Sequence, residues 1–244
     1  MIHRIAFTIA AAAVCTWTGA ISDAGRARAQ TAAGSIEGRV TFEGPPPRGT
    51  PVAESGGTQP TLHLDAAGGL QYTVVYLPDG RLSAASTPGT ALTMDQRRFV
   101  FEPQVLAVRA GQSVRFTNSD PAGHNVRSRG PGPANVFSIN TAPGAAAAHR
   151  RQFPTPIDGR PAELSCDIHP WMQAWIYVFD HDQFAVTEAG GRFRIDDVPA
   201  GRHRVAVRQP AGRLERDLAV DVRAGGTSHL DVRFTPADVG MPAR

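Results

Sequence analysis

Ala110-Gly111-Gln112-Ser113-Val114-Arg115-Phe116-Thr117-Asn118 opens on a turn signal and then sets apolar Val114 and Phe116 against polar Arg115 and Thr117. A period of two sends alternate side chains to opposite faces, so the stretch reads as a β-strand with one face in a core and one in water. The pattern recurs at Phe193 and Ile195 between Arg192 and Arg194, and at Val205 and Val207 between Arg204 and Arg208. It returns at Leu218, Val220 and Val222, and again at Leu230, Val232 and Phe234. Helical periodicity is absent, so the chain is expected to be all-β, built of antiparallel sheets. From Gln173 to Asp180 nearly every position is apolar, which predicts a strand covered on both faces. Gly44-Pro45-Pro46-Pro47-Arg48-Gly49 and positions 83–90, 129–133 and 143–148 read as loops.

The first residues read differently. Arg4 precedes an apolar run from Ile5 to Ile21, and Ala27-Arg28-Ala29 follows just before Gln30. That basic, hydrophobic and small-residue order is expected of a secretory signal peptide, 1–29, cleaved after Ala29. The run is shorter than the roughly 20 residues of a spanning helix, so no membrane span is expected and the mature chain should be periplasmic or secreted. About 215 of the 244 residues would remain, enough for one large or two small domains. The chain holds 25 basic and 22 acidic residues, and every basic residue is Arg. Cleavage removes Arg4, Arg26 and Arg28 against Asp23, leaving a near-neutral protein with no basic run interleaved with aromatics. Nucleic acid is therefore not an expected partner.

Export also decides how cysteine is read. Cys15 leaves with the signal, so Cys166 has no partner for a disulfide. It stands in Cys166-Asp167-Ile168-His169-Pro170-Trp171-Met172, where a thiol, an imidazole and a thioether fall within seven residues. An unpaired thiol in an oxidising compartment is a liability unless a metal holds it as thiolate. One more imidazole would complete two His and one Cys in a plane with a weak axial Met, the donor set of a mononuclear blue-copper site. His124, in the polar loop from Asn118 to Val126, is the candidate. His63, His149, His181, His203 and His229 have no comparable neighbours. Zinc also takes Cys and His, but a Met ligand argues for copper, and Asp167 should point away from Cys166 on a strand-like loop. Pro170 has no N–H to offer the sulfur, which predicts a thiolate with fewer hydrogen bonds. Met172 would fill the position that a copper enzyme keeps open, so no catalysis is expected.

Three features carry a family resemblance. They are Phe101-x-Pro103 leading into Leu106-x-Val108-x-Ala110-Gly111-x-x-Val114-x-Phe116-x-Asn118, the tripeptide His124-Asn125-Val126, and Cys166-x-x-His169-Pro170-x-Met172. From Met94 to Phe179 the chain resembles the cupredoxins, and the two-residue spacing between His169 and Met172 is the amicyanin form. The resemblance implies a Greek-key β-sandwich holding one type 1 copper through His124, Cys166, His169 and Met172. It implies that the Asn125 side chain ties its strand to the ligand loop while its backbone donates toward the Cys166 sulfur. It also implies that the His169 edge emerges through a small apolar patch where Trp171 helps dock a partner. The partners implied are a protein electron donor and acceptor, such as a dehydrogenase and a c-type cytochrome. The whole chain is similar to exported proteins labelled methylamine-utilisation proteins.

Around this region, Ser35 to Gly44 with Val74-Val75-Tyr76-Leu77, and Phe184 to Val207, look like the two halves of a carboxypeptidase-regulatory-like β-sandwich. The expected division is 30–90 and 182–236 for those halves, 91–181 for the cupredoxin, and 237–244 for a tail. The cupredoxin would be inserted at a loop tip of the second sandwich or fused to it in sequence. A copper-trafficking module and a non-redox, carbohydrate- or protein-binding sandwich are the other functions open at this point. Tyr72 and Tyr76 are few for an aromatic sugar platform.

Overall fold

Nineteen strands and two single-turn helices make up the described residues of the computed structural model, which are 33–81, 89–144, 149–157 and 159–240. The signal segment, its cleavage site and Cys15 lie outside them, as do 83–88 and 145–148 of the expected loops. No helix among the described residues is long and apolar enough to cross a membrane.

The strands run in chain order as β1 (Gly34–Phe42), β2 (Thr50–Val52), β3 (Gly57–Gln59) and β4 (Val74–Tyr76). Next come β5 (Leu92–Arg97), β6 (Val100–Glu102), β7 (Val105–Arg109), β8 (Ser113–Asn118) and β9 (His124–Arg129). The middle region ends with β10 (Phe137–Thr141), β11 (His149–Gln152), β12 (Ala162–Ser165) and β13 (Gln173–Phe179). The last six are β14 (Phe184–Val186), β15 (Arg192–Val198), β16 (Gly201–Gln209), β17 (Leu214–Val222), β18 (Thr227–His229) and β19 (Val232–Phe234).

Pairing sorts them into layers. The middle strands form two sheets, β10-β9-β12-β13-β7 and β11-β8-β5-β6. The first and last strands form two more, β15-β1-β18 with β19 also on β1, and β14-β4-β16-β17. Thus β1 and β4, which precede the middle strands, find their partners only among strands that follow them. Three of these four sheets are mixed, which corrects the expectation: β5–β8, β7–β13, β1–β18 and β1–β19 are parallel pairs, and β14-β4-β16-β17 alone of the four is antiparallel throughout. Period two reports which face is buried, and parallel and antiparallel neighbours satisfy it equally.

Alternation along the strands then divides the apolar residues among three cores. In β4, Val75 faces one core with Val205, Val207, Phe193 and Ile195, while Val74 and Tyr76 face the other way. In β13, Ala174, Ile176 and Val178 face a second core with Val114, Phe116 and Leu164, while Tyr177 and Phe179 turn outward. The outward residues of β4, β7, β13 and β16 meet each other: Val74, Tyr76, Val105, Ala107, Tyr177, Phe179 and Ala206 form the third core. The strand expected to be covered on both faces is so covered. The expected strand from Leu230 to Phe234 is interrupted at Leu230 and Asp231. There the Asp231 carboxylate accepts the Arg39 N–H at 2.8 Å in place of a ladder bond. Gly38 lies so close to the Leu230 carbonyl oxygen that no side chain fits at that position.

Candidate metal centre

Asn118 ends β8 and builds the loop that presents His124. Its amide donates to Ala122 O at 2.8 Å and Thr141 O at 3.1 Å, and its Oδ1 accepts the Asp120 N–H at 2.9 Å. His124 therefore enters β9 already oriented, paired across the ladder with Thr141. On the other side, β12 ends at Ser165 and β13 begins at Gln173, so Cys166 to Met172 is the turn between two antiparallel strands. The turn closes on itself, with the Cys166 N–H donating to Met172 O at 3.2 Å and the Met172 N–H to His169 O at 2.9 Å. Met172 is fully buried in the same apolar cluster as Cys166.

These two segments bring His124, Cys166 and His169 together, all three buried, the one such cluster among the described residues. His124 Nδ1 and His169 Nδ1 are 2.9 Å apart, and the Cys166 Sγ lies 4.0 Å from the first and 3.7 Å from the second. A triangle with those sides has a point in its plane about 2.1 Å from every corner, within the roughly 2.0–2.3 Å of a first-row metal bond to imidazole or thiolate. The donor set and its spacing fit a metal.

A second ring of contacts orients the imidazoles. His124 Nε2 is hydrogen-bonded to Asp120 Oδ2 at 3.0 Å, which favours the tautomer whose Nδ1 lone pair faces the centre, and His169 Nε2 faces the Glu54 carboxylate at 3.9 Å. Burial pushes the His124 pKa down, but hydrogen bonds to Cys166 and Asp120 outweigh it and the net shift is upward. For Cys166, burial pushes up; the bond to His124 and the N–H groups of Asn125, His169 and Ile168 prevail and bring the thiol down to about 6. Pro170 supplies no N–H, and the stabilisation of the anion comes from His124 and from the N–H groups of Asn125, His169 and Ile168. In metal-free protein the thiolate, the form a metal takes, should persist above about pH 6 and be lost below it, whereas an ordinary thiol titrates near 8.5. Ultraviolet thiolate absorption against pH reads this directly; a midpoint of 8 or more contradicts it.

Asn125 ties the two segments as the resemblance implies: its Nδ2 donates to Asp167 Oδ2 at 2.9 Å and its Oδ1 accepts the Asp167 N–H at 2.6 Å. Asp167 points outward, as expected, toward Arg127. Trp171 is half-buried, its ring centroid 5.4 Å from that of His169 and its Nε1 donating to Phe99 O at 3.1 Å. His169 differs from the expectation: it is only 7% exposed, with Glu54 over its outer nitrogen, rather than emerging through a patch.

Three contributors were not read from the sequence. Asp120 orients His124 and accepts the N–H groups of Arg98 and Phe99, an acidic residue four before the His that could have been noticed. Phe99 stands edge-on to both imidazoles from the β5–β6 turn, where Arg98 and Phe99 hold φ of 56° and 59°. Neither is the Gly or Asn that signals such a turn. Glu54 comes from a distant hairpin and carries no local signal. The five other histidines named above lie elsewhere: His63 against Tyr72, His149 in β11 opposite Phe116, His181 against Phe179, His203 at Pro199 O and His229 at Glu37.

No family model and no curated protein matches the chain. Among solved structures it is similar to the Cu-containing nitrite reductase from Thermus scotoductus SA-01, at 23% identity and a TM-score of 0.32 over 41% of this chain and 24% of that one. The chain thus spans about a quarter of the length of that reductase. It is similar also to a purple cupredoxin from Nitrosopumilus maritimus, at 19% identity and a TM-score of 0.30 over 36% and 99% of the two chains. An oxidized amicyanin mutant matches at 20% identity and a TM-score of 0.32 over 43% and 98%.

Proposed function

We propose that this chain is an exported type 1 copper protein of cupredoxin type that carries single electrons between protein partners. The observation that supports it most is the buried triangle of two Nδ1 atoms and one Sγ with a common point at metal-bond distance from all three. When bound, copper would supply a one-electron couple between Cu(II) and Cu(I).

The residues do the rest. Cys166 would bind as the thiolate that its backbone donors already favour, and His124 and His169 through Nδ1 as neutral imidazoles. Met172, buried in the same cluster as Cys166, would supply a weak thioether donor. Zinc would want a fourth Cys, His or carboxylate, and Asp167 is engaged with Asn125 and Arg127 instead. Ligands held by Asn118, Asp120 and Asn125 need not rearrange between the two charge states, which suits a carrier. If Met172 takes the remaining position no site is left open for a substrate, which would favour a carrier over an enzyme. The partners would be one-electron redox proteins.

Met172→Leu tests the reading. Loss of a donor that stabilises Cu(II) over Cu(I) should raise the reduction potential while colour persists, by about 59 mV for each tenfold of that preference. Protein-film voltammetry of the two proteins measures it. An unchanged potential would make Met172 a packing residue only.

A further inference from the structure

The Gly44-Pro45-Pro46-Pro47-Arg48-Gly49 run and the hairpin β2–β3 take no part in the sheets described above, since β2 and β3 pair only with each other. They form one unit. The run leaves the end of β1 and carries the hairpin outward, and three consecutive prolines keep that path extended and stiff. Where the outgoing and returning chains meet, Thr61 Oγ1 donates to Arg48 O at 2.8 Å and closes the base. At the far end, the turn between the strands sets Glu54 Oε1 3.9 Å from His169 Nε2.

His169 sits between exposed neighbours, with Ile168 60% exposed, yet is itself buried: Phe99 and Trp171 lie against its ring, and the hairpin's Glu54 stands over its outer nitrogen. The hairpin over it is weakly seated. Of its strand residues only Val52 and Gln59 are buried, and Gln59 Oε1 is buried without a hydrogen-bond partner. An isolated two-stranded hairpin is marginal by itself, and an unmet buried acceptor weakens the closed position further. A stiff arm with so slight a seat can lift as a unit.

We propose that residues 44–59 are a cap over the outer edge of His169, closed in this structure, and that a partner reaches this imidazole only when the cap is displaced. The inference rests on the reading of His169 as the ligand through which electrons pass. It makes the cap, supplied from outside the metal-binding sandwich, the element that decides which partners exchange electrons.

Two full-length variants test it, Val52→Ser with Glu54→Ala, and a chain in which residues 50–59 are replaced by a short Gly-Ser linker. In metal-free protein, acylation of His169 by diethyl pyrocarbonate, followed on its peptide by mass spectrometry with His203 as reference, should quicken tenfold or more. In copper-loaded protein, self-exchange should quicken similarly by NMR line broadening, one electron passing from a reduced to an oxidised copy with no bond made or broken. Unchanged acylation in both variants overturns the cap. Faster acylation with slower self-exchange also overturns it, making the hairpin a docking surface. Faster acylation in a protein that takes up no copper upholds the cap and sinks the electron-carrier reading.

Discussion

Cys166→Ser should leave a folded protein with no blue colour. The intense band of a type 1 site is thiolate-to-copper charge transfer, and Cys166 is the one thiol among the described residues. Serine has nearly the same shape, and its hydroxyl can hydrogen-bond to the imidazoles that the sulfur meets, so the fold should survive. The hydroxyl does not ionise near neutral pH, so the in-plane anionic donor is lost. Copper affinity should fall by at least about 100-fold, more than the 10- to 100-fold typical of outer-shell changes. Visible absorption and a competition titration with a chelator measure both; a variant that stays blue contradicts the assignment of Cys166.

The ligand segment was legible because its chemistry is local. Cys166, His169 and Met172 fall within one turn, and the period-two strands around them announce their buried faces without any knowledge of pairing. What joins the turn to His124 was legible only through resemblance. Of what surrounds the site, only Asp120, four residues before His124, left a local signal; Phe99 acts through a turn lacking the usual residues, and Glu54 through a hairpin far off in sequence. Strand direction was misjudged for a related reason, since alternation fixes faces and not neighbours. The break at Leu230 depends on the close approach of Gly38, a tertiary fact.

Tyr177→Ala should cost about 3 to 5 kcal/mol of stability, as removal of a large buried ring does. Tyr177 is 3% exposed on the outward face of β13, stacked on Phe179, which in turn meets Tyr76 and Phe184. These rings are the seam where the sheets holding the site rest on β4 and β16. Burial raises the Tyr177 pKa strongly, so its hydroxyl stays neutral throughout the working range. The residue lies in a different core from Cys166 and Met172, so the copper spectrum should be kept while the urea midpoint falls. If the midpoint moves by the equivalent of less than about 1 kcal/mol, the seam contributes little and the two pairs of sheets are held together by other contacts.

The most direct measurement is the visible spectrum of the metal-free protein, purified without its first 29 residues, as Cu(II) is added. The account predicts an intense blue band that grows linearly and stops at one equivalent, and that disappears on reduction and returns on reoxidation. A protein that remains colourless, or shows only the weak absorption of copper bound by nitrogen and oxygen, would contradict it.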